Sequence, residues 1–370
     1  MEATVNKWWE KQKWFFESLQ WSMASRQKMK LKSKLMFYRF MSTMVDSGMS
    51  LIKAVEVIRA QEKNKQLIFM YDDVIENMRS WQTLSSSLWK YYNSFGSSEV
   101  AILESWEKTW KLNSVLKDLA EQVEKVSQIS GKIKAALIYP AAVIVIAITV
   151  VIVMMVVVVP KLLELFTDAD DLPAATKALI ATSDFFTNSW YVLIFAIFWL
   201  VMFVKFWGRT KEWRYYLDLF MLKAPVFGML TKKVALSKFA RILSGLLWSW
   251  VSVVESLKIV SEALWNEVYR QRIMLLQMDI KKWIKIWESL DGDKLFPTML
   301  VQMVQIWEQT AKLDVTIVKI ADFYDEEVDN VVWVINKLLE PLIIVFIAWV
   351  VLFIALWVMQ PIMSLTEQIQ

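Results

Sequence analysis

The stretch Ala141–Val159, AAVIVIAITVVIVMMVVVV, is nineteen residues without a charge, opened by Pro140 and closed by Pro160. About 20 apolar residues cross the hydrocarbon core of a bilayer, and a buried strand in a soluble domain is far shorter. The run therefore predicts a transmembrane helix and removes the soluble fold classes. Leu342–Met359 is a second uncharged run, of eighteen residues, opened by Pro341 and closed by Pro361. Trp190–Val204 is a shorter third, which extends to Trp207 if Lys205 carries its ammonium back to the interface. The first 34 residues are charged throughout, so the expectation is insertion by internal segments rather than by a cleaved leader.

Lysine and arginine near span ends set orientation. Lys132 and Lys134 precede the first span. Lys205, Arg209, Lys211 and Arg214 follow the second, and Lys337 precedes the third. Between the first two spans, Lys161 and Lys177 face five acids: Glu164, Asp168, Asp170, Asp171 and Asp184. The expected topology puts the amino-terminal region and residues 208–337 inside, with residues 161–189 and the carboxyl end outside.

The chain also repeats itself. At a shift of 201, Trp106-Glu107-Lys108-Thr109-Trp110-Lys111-Leu112 falls on Trp307-Glu308-Gln309-Thr310-Ala311-Lys312-Leu313. Pro140 falls on Pro341, Pro160 on Pro361 and Ala120 on Ala321. Upstream the shift is 202, and Ser47-Gly48 falls on Ser249-Trp250. A fixed period of this length marks a duplicated structural unit. Each unit reads as a helical domain followed by a membrane helix, and the span at 190–207 returns the chain so that the second unit starts on the same side. Apolar residues recur at helical spacing in both copies: Phe37, Phe40, Met41, Met44 and Val45, then Leu51, Val55 and Ile58, against Phe239, Ile242, Leu243, Leu246 and Leu247. The expected fold is an all-α membrane protein with two tandem homologous helical-bundle domains and three transmembrane helices. Its segments are an arm (1–34), a first domain (35–134), span one (135–160), an outside segment (161–189), span two (190–207), a second domain (208–337), span three (338–360) and a short outside tail (361–370).

The chain has no histidine and no cysteine, which removes the commonest general base, the commonest metal ligand and every thiolate site. A net charge of +4 demands no nucleic-acid partner. No phosphate-binding glycine loop, nucleophile elbow or HExxH is present. The expectation is no catalytic residue, no cofactor and no metal. Asp168, Asp170 and Asp171 have calcium-like chemistry without the EF-hand spacing.

Four polar features remain. The repeated patches Glu107, Lys108, Thr109, Lys111 and Glu308, Gln309, Thr310, Lys312 are candidate partner contacts, or else inter-helix turns that cap their own domains. Pro140, Pro160, Pro341 and Pro361 are candidate structural span boundaries. Asp322–Asp329, DFYDEEVD, reads as a solvated acidic helix face, with a basic partner or a cation as alternatives. The arm at 1–34 interleaves basic residues with Trp8, Trp9, Trp14, Phe15, Phe16 and Trp21, which suits a membrane surface or a docking partner.

The stretches FYRFMSTMVDSGMSLIKAVEVI, KIKAALIYPAAVIVIAITVVIVMMVVVVPKLLELF and IADFYDEEVDNVVWVINKLLEPLIIVFI resemble the inner-membrane platform proteins of type IV pilus and type II secretion machines, the PilC/GspF family. LDLFMLKAPVFGMLTKKVALSKFARILSGLL and LFPTMLVQMVQIWEQTAKLD resemble it too, and the likeness runs from about residue 35 to the end. The resemblance implies a bacterial inner-membrane scaffold that is not an enzyme. Its implied partners are a cytoplasmic hexameric assembly ATPase, pilin or pseudopilin subunits, other inner-membrane assembly proteins, the lipid bilayer and further copies of itself. An oligomeric transporter or channel subunit is the alternative, because that class also shows internal repeats. Polar groups inside the spans separate the two, and the first span holds only Thr149. The chain departs from the family pattern where it carries Trp106, Trp110, Trp307 and Ala311, and at or near Trp81, Trp250, Trp265 and Trp287. The family has glycine there, which would supply positive φ or close backbone approach.

Overall fold

The computed structural model describes residues 28–107, 112–158, 160–161, 210–225, 227–310 and 313–368, with seven positions scattered between 191 and 203. All regular structure among the described residues is helical. The first copy comprises α1 (Leu31–Asp46), α2 (Leu51–Gln61), α3 (Lys65–Arg79), α4 (Leu84–Trp89), α5 (Tyr92–Phe95), α6 (Ser97–Glu107) and α7 (Leu112–Val153), which continues into a π-helical turn at Met154–Val158. Then come α8 (Lys211–Lys223), α9 (Phe227–Trp248), α10 (Val253–Ala263), α11 (Glu267–Lys281), α12 (Ile286–Leu290), α13 (Thr298–Thr310) and α14 (Leu313–Gln368).

The duplication is visible in how the helices begin and end. Ser50 caps α2 by accepting from the Lys53 N–H, and Ser252, 202 residues on, caps α10 by accepting from the Glu255 N–H. Asn64 caps α3 and Asn266 caps α11 in the same way. Each such cap satisfies a backbone donor that the first helical turn leaves free. The ends correspond too. Gly48 closes α1 at φ 87°, with its N–H on the Val45 carbonyl and the Met49 N–H on the Met44 carbonyl, both at 3.0 Å. That pair of bonds is a Schellman closure, which needs a left-handed residue. The same two bonds recur at Trp81 (φ 66°), Trp250 (φ 59°) and Trp283 (φ 64°).

Cores correspond as well. Phe37 meets Phe95 edge-on at 5.1 Å between ring centroids, and Phe239 meets Phe296 edge-on at 5.7 Å. Such aromatic pairs add roughly 0.5–1.5 kcal/mol beyond the area they bury. Phe37, Met41, Val55 and Leu243 are buried, as their spacing predicts, whereas Phe40 is exposed.

The residues divide into two units. The first takes 1–131 and 218–328 and holds the short helices of both copies; the second takes 132–217 and 329–370. Among the described residues two helices are long and apolar enough to cross a membrane: Val115–Val157 and Thr316–Trp349. Only 11% of the most apolar window of the first is buried, which a soluble core helix would not tolerate. Exposed Ile144, Val145, Ile146, Leu342, Ile344 and Val345 call for a hydrocarbon solvent instead. The expected span at 190–207 lies largely outside the described residues, and residues 1–27 and 162–190 lie wholly outside them.

Three of the four prolines lie inside long helices rather than at helix ends, which leaves their expected place at the span boundaries untouched. Pro140 sits inside α7, and Pro341 and Pro361 sit inside α14. A spanning helix tolerates proline because neighbouring groups re-satisfy the carbonyl that loses its partner. Pro160 is itself helical, just beyond the π-turn. Lacking an N–H, it leaves the Val156 carbonyl without its usual i+4 donor, which favours a widened turn at that point.

Candidate partner-binding site

Glu107 and Glu308 occupy equivalent positions and do the same local job. The Glu107 carboxylate accepts from the Leu84 N–H at 2.6 Å, from the Ser85 N–H at 3.2 Å and from the Ser85 hydroxyl. The Glu308 carboxylate accepts from the Ile286 N–H at 2.9 Å and the Trp287 N–H at 3.1 Å. Each glutamate, at the end of one helix, closes the amino terminus of a short helix some 20 residues upstream, α4 or α12. A carboxylate there answers both the free N–H groups and the positive end of the helix dipole. Gln309 and Thr310 are exposed at the end of α13, and the Thr310 hydroxyl donates to the Ile306 carbonyl at 2.8 Å. Lys108, Thr109, Lys111 and Lys312 lie outside the described residues. Each copy of the patch thus carries a carboxylate that ties the copy together, and in the second copy Gln309 and Thr310 face outward beside it.

Trp106 and Trp307 of the patch are not glycine substitutes in conformation, and Trp110 and Ala311 lie outside the described residues. Trp106 and Trp307 lie within α6 and α13, are buried, and have no positive φ. Their large side chains fill interior space, and the Trp106 indole N–H donates to the Ser249 hydroxyl at 2.7 Å. Trp265 and Trp287 also lack positive φ. At Trp81 and Trp250 the left-handed backbone is present as expected, and Trp283 adds a third case.

The acidic segment of α14 is not the solvated face its charge run suggests. Asp322 pairs with Lys125 at 2.5 Å and with Arg241 at 2.9 Å. Asp325 binds Arg241 and the Ser237 hydroxyl, and Glu327 binds Lys233. In the second unit Lys132 pairs with Asp329 at 2.5 Å. The chain supplies its own cations, because Lys233, Ser237 and Arg241 recur every four residues on one face of α9 and meet the acids of α14. That four-residue spacing was the available signal in the sequence. Arg241 is buried with its Nε left without a hydrogen-bond partner, so two carboxylates carry its compensation. Burial alone would raise the Asp322 carboxyl, but hydrogen bonds from Lys125 and Arg241 and their charges win, and hold it below the usual carboxylate range.

A second charged group is deeper. Glu99 accepts from Lys34 at 2.9 Å and from the Tyr38 hydroxyl at 2.9 Å. Burial pushes its carboxyl up, against the opposing pull of both partners. Among the described residues no group of acids is arranged to hold a metal ion, and Asp168, Asp170 and Asp171 lie outside them.

A family model, type II secretion system protein F, matches residues 37–160 and again residues 239–361. The chain belongs to the type II secretion system protein F family. The two matched segments start 202 residues apart and end 201 apart, the shifts at which the sequence repeats. A type IV pilus assembly protein PilC of Pseudomonas aeruginosa is 29% identical over 323 residues, 87% of this chain and 86% of the relative. A type IV pilus assembly protein PilC of Thermus thermophilus is 30% identical over 87% of this chain and 79% of its own length. A type II secretion system protein F of Aeromonas hydrophila is 29% identical over 90% of this chain and 86% of the relative. The family is one of non-catalytic structural components of the bacterial inner membrane, in keeping with a chain that has neither histidine nor cysteine.

Proposed function

We propose that this protein is the inner-membrane platform of a type IV pilus or type II secretion-like assembly machine, coupling a cytoplasmic hexameric ATPase to the entry of pilin or pseudopilin subunits into a filament. The observation that carries the reading is the double match of the family model in the register of the internal repeat, each match ending in an apolar run long enough to cross a membrane. In this reading the helices of residues 35–134 and 208–337 form two homologous cytoplasmic domains. The spans at 135–160, 190–207 and 338–360 leave the amino terminus inside and the carboxyl terminus outside. Other inner-membrane assembly proteins and further copies of the chain complete the set of partners. Lys108, Thr109, Lys111, Gln309, Thr310 and Lys312 of the repeated patch are the proposed partner contacts, next in sequence to the capping carboxylates of Glu107 and Glu308.

A solute pathway is disfavoured by the one polar residue of the first span. The Thr149 hydroxyl donates to the Val145 carbonyl at 2.8 Å within its own helix and offers nothing to a passing solute. The test is co-purification of the full chain in lipid nanodiscs with candidate assembly ATPases. Retention of one ATPase, lost when Lys108 and Lys312 are both changed to glutamate, is the expected result. Solute flux in proteoliposomes with no ATPase retained would replace the platform by a transporter.

A further inference from the structure

The contact between the two copies in the first unit is head-to-tail, and among the described residues it leaves both of its counterpart faces open. The α6 helix of the first copy packs on α9 and α10 of the second. Trp106 donates to the Ser249 hydroxyl, Ser105 donates to the Ser249 carbonyl, and Gln122 closes over Gly245, where a Cβ would collide with its amide. Applying the repeat shift gives the reciprocal contact, which would set α13 of the second copy on α1 and α2 of the first. The chain does not make it: among the described residues α13 has no comparable packing on α1 or α2.

Burial records the same asymmetry position by position. Ile242 and Ser249 on α9 are 9% and 3% exposed, while their counterparts Phe40 and Ser47 on α1 are exposed, Phe40 at 37%. Gly245 is buried and its counterpart Thr43 is exposed. Met36, Phe40, Thr43 and Ser47 are spaced four, three and four, so they form one stripe along α1. On the other side, Ser105 is half-buried in its contact, while its counterpart Ile306 on α13 is 53% exposed, with Met299 exposed beside it. Arg39, the counterpart of Arg241, is exposed on α1 and pairs with Glu124 of its own chain at 2.5 Å, and Glu326, the counterpart of Lys125, is exposed on α14. An interface that uses two different surfaces and is satisfied only once within a chain can be repeated between chains, closing a ring if the rotation allows.

We propose that a second copy of this chain docks the α13 face around Ile306 onto the α1 face around Phe40 and Ser47, repeating between chains the contact that α6 makes with α9 within one. The occupant is a second copy because the only surface shown to fit this family of faces is the chain's own other half. The expected topology orients the two repeat-ending spans alike, so chains related by this contact can share one orientation in the membrane. The proposal rests on the oligomeric part of the platform reading and not on the ATPase or pilin parts.

The absence of cysteine makes the test direct. Full-length Ser47→Cys and Ile306→Cys chains, carrying different tags, are co-expressed in membranes and oxidised. The expected result is a disulfide-linked product of twice the chain mass containing both tags, with neither variant forming it alone. As a control, Ser105→Cys and Ser249→Cys in one chain close within that chain. Self-linking of either single variant would mean a two-fold contact and would overturn the proposal. No mixed product with a native mass above one chain overturns this surface while leaving the oligomer. A native mass of one chain overturns both, and would fit coverage of the α1 face by the chain's own residues 1–27. Phe40→Glu in the full chain is expected to abolish the mixed product and lower the native mass with no change in thermal midpoint, since Phe40 is exposed within the single chain.

Discussion

The Trp106 indole N–H meets the Ser249 hydroxyl at 2.7 Å across 143 residues of sequence, and both groups are buried. Ser249 in turn donates to the Gly245 carbonyl at 2.7 Å, so one hydroxyl links α6 of the first copy to the end of α9 in the second. Ser249→Ala removes the hydroxyl that accepts from the buried indole, which costs about 1–3 kcal/mol. Trp106→Phe alone removes the donor but also some packing. The double variant is expected to be less destabilised than the sum of the two, as a thermal denaturation cycle on the full chain in detergent would show. Strict additivity would mean that the bond carries no coupling.

Glu107→Ala and Glu308→Ala are each expected to lower stability by about 1–2 kcal/mol, the upper range for losing a helix cap, because each frees at least two backbone donors. The readout that isolates the cap is hydrogen exchange. Faster exchange should be confined to the amides of Leu84 and Ser85 in one variant, and of Ile286 and Trp287 in the other. Uniform exchange across the bundle would argue that the glutamates act some other way.

Trp81, Trp250 and Trp283 hold left-handed backbone while nearly fully exposed, with Trp81 at 97%. A side chain there brings the strain of that conformation without burial to offset it. Left-handed backbone costs a non-glycine residue roughly 1–2 kcal/mol, and glycine's larger unfolded-state entropy returns part of that. Each Trp→Gly change is therefore expected to raise stability by about 1 kcal/mol. Gly48→Trp should lower it by a similar amount. Trp106→Gly is expected to do the opposite of the surface changes, losing about 3–5 kcal/mol through the cavity it opens. Thermal midpoints of these five variants separate closure tryptophans from core tryptophans.

The sequence shows best what a period can show. The shift of 202 that pairs Ser47-Gly48 with Ser249-Trp250 also pairs the caps Ser50 with Ser252 and Asn64 with Asn266. It sets Phe37–Phe95 against Phe239–Phe296, with a one-residue slip at the second ring. Positive φ at Trp81 and Trp250 was readable only through the resemblance, which implies glycine at those helix ends. Trp106 and Trp307 misled the same reasoning, since a glycine-like position in a resembling family can be a helix interior that a large ring fills. The acidic face of α14 was opaque for a different cause. Its partners sit some 80 residues away on α9 or nearly 200 away on α7, and the spacing of Lys233, Ser237 and Arg241 marks a polar face on α9 without saying which acids it meets. The Glu107 and Glu308 caps were half-legible. Their position in a helix junction was visible, but the helix each one closes lies upstream, through the fold rather than along the chain.

Asp322 gives the pH dependence its sign. Its folded carboxyl titrates below its ordinary range because Lys125 and Arg241 donate to it and favour the charged form over the burial that opposes them. Between the lowered folded value and the ordinary unfolded value, near 3.8, the unfolded chain binds more protons. Stability from this group is therefore complete above the unfolded value and is lost as pH falls through the folded one. Asp322→Asn should reduce stability at neutral pH, because Arg241 stays buried with Asp325 as its one remaining carboxylate. It should also flatten the acid limb of the stability curve below about pH 4. Chemical denaturation of the full chain across that range, wild type against variant, checks both effects. An acid limb equally steep in the variant would assign the acid sensitivity to other carboxylates and leave the Asp322 pairs as surface charges of little consequence.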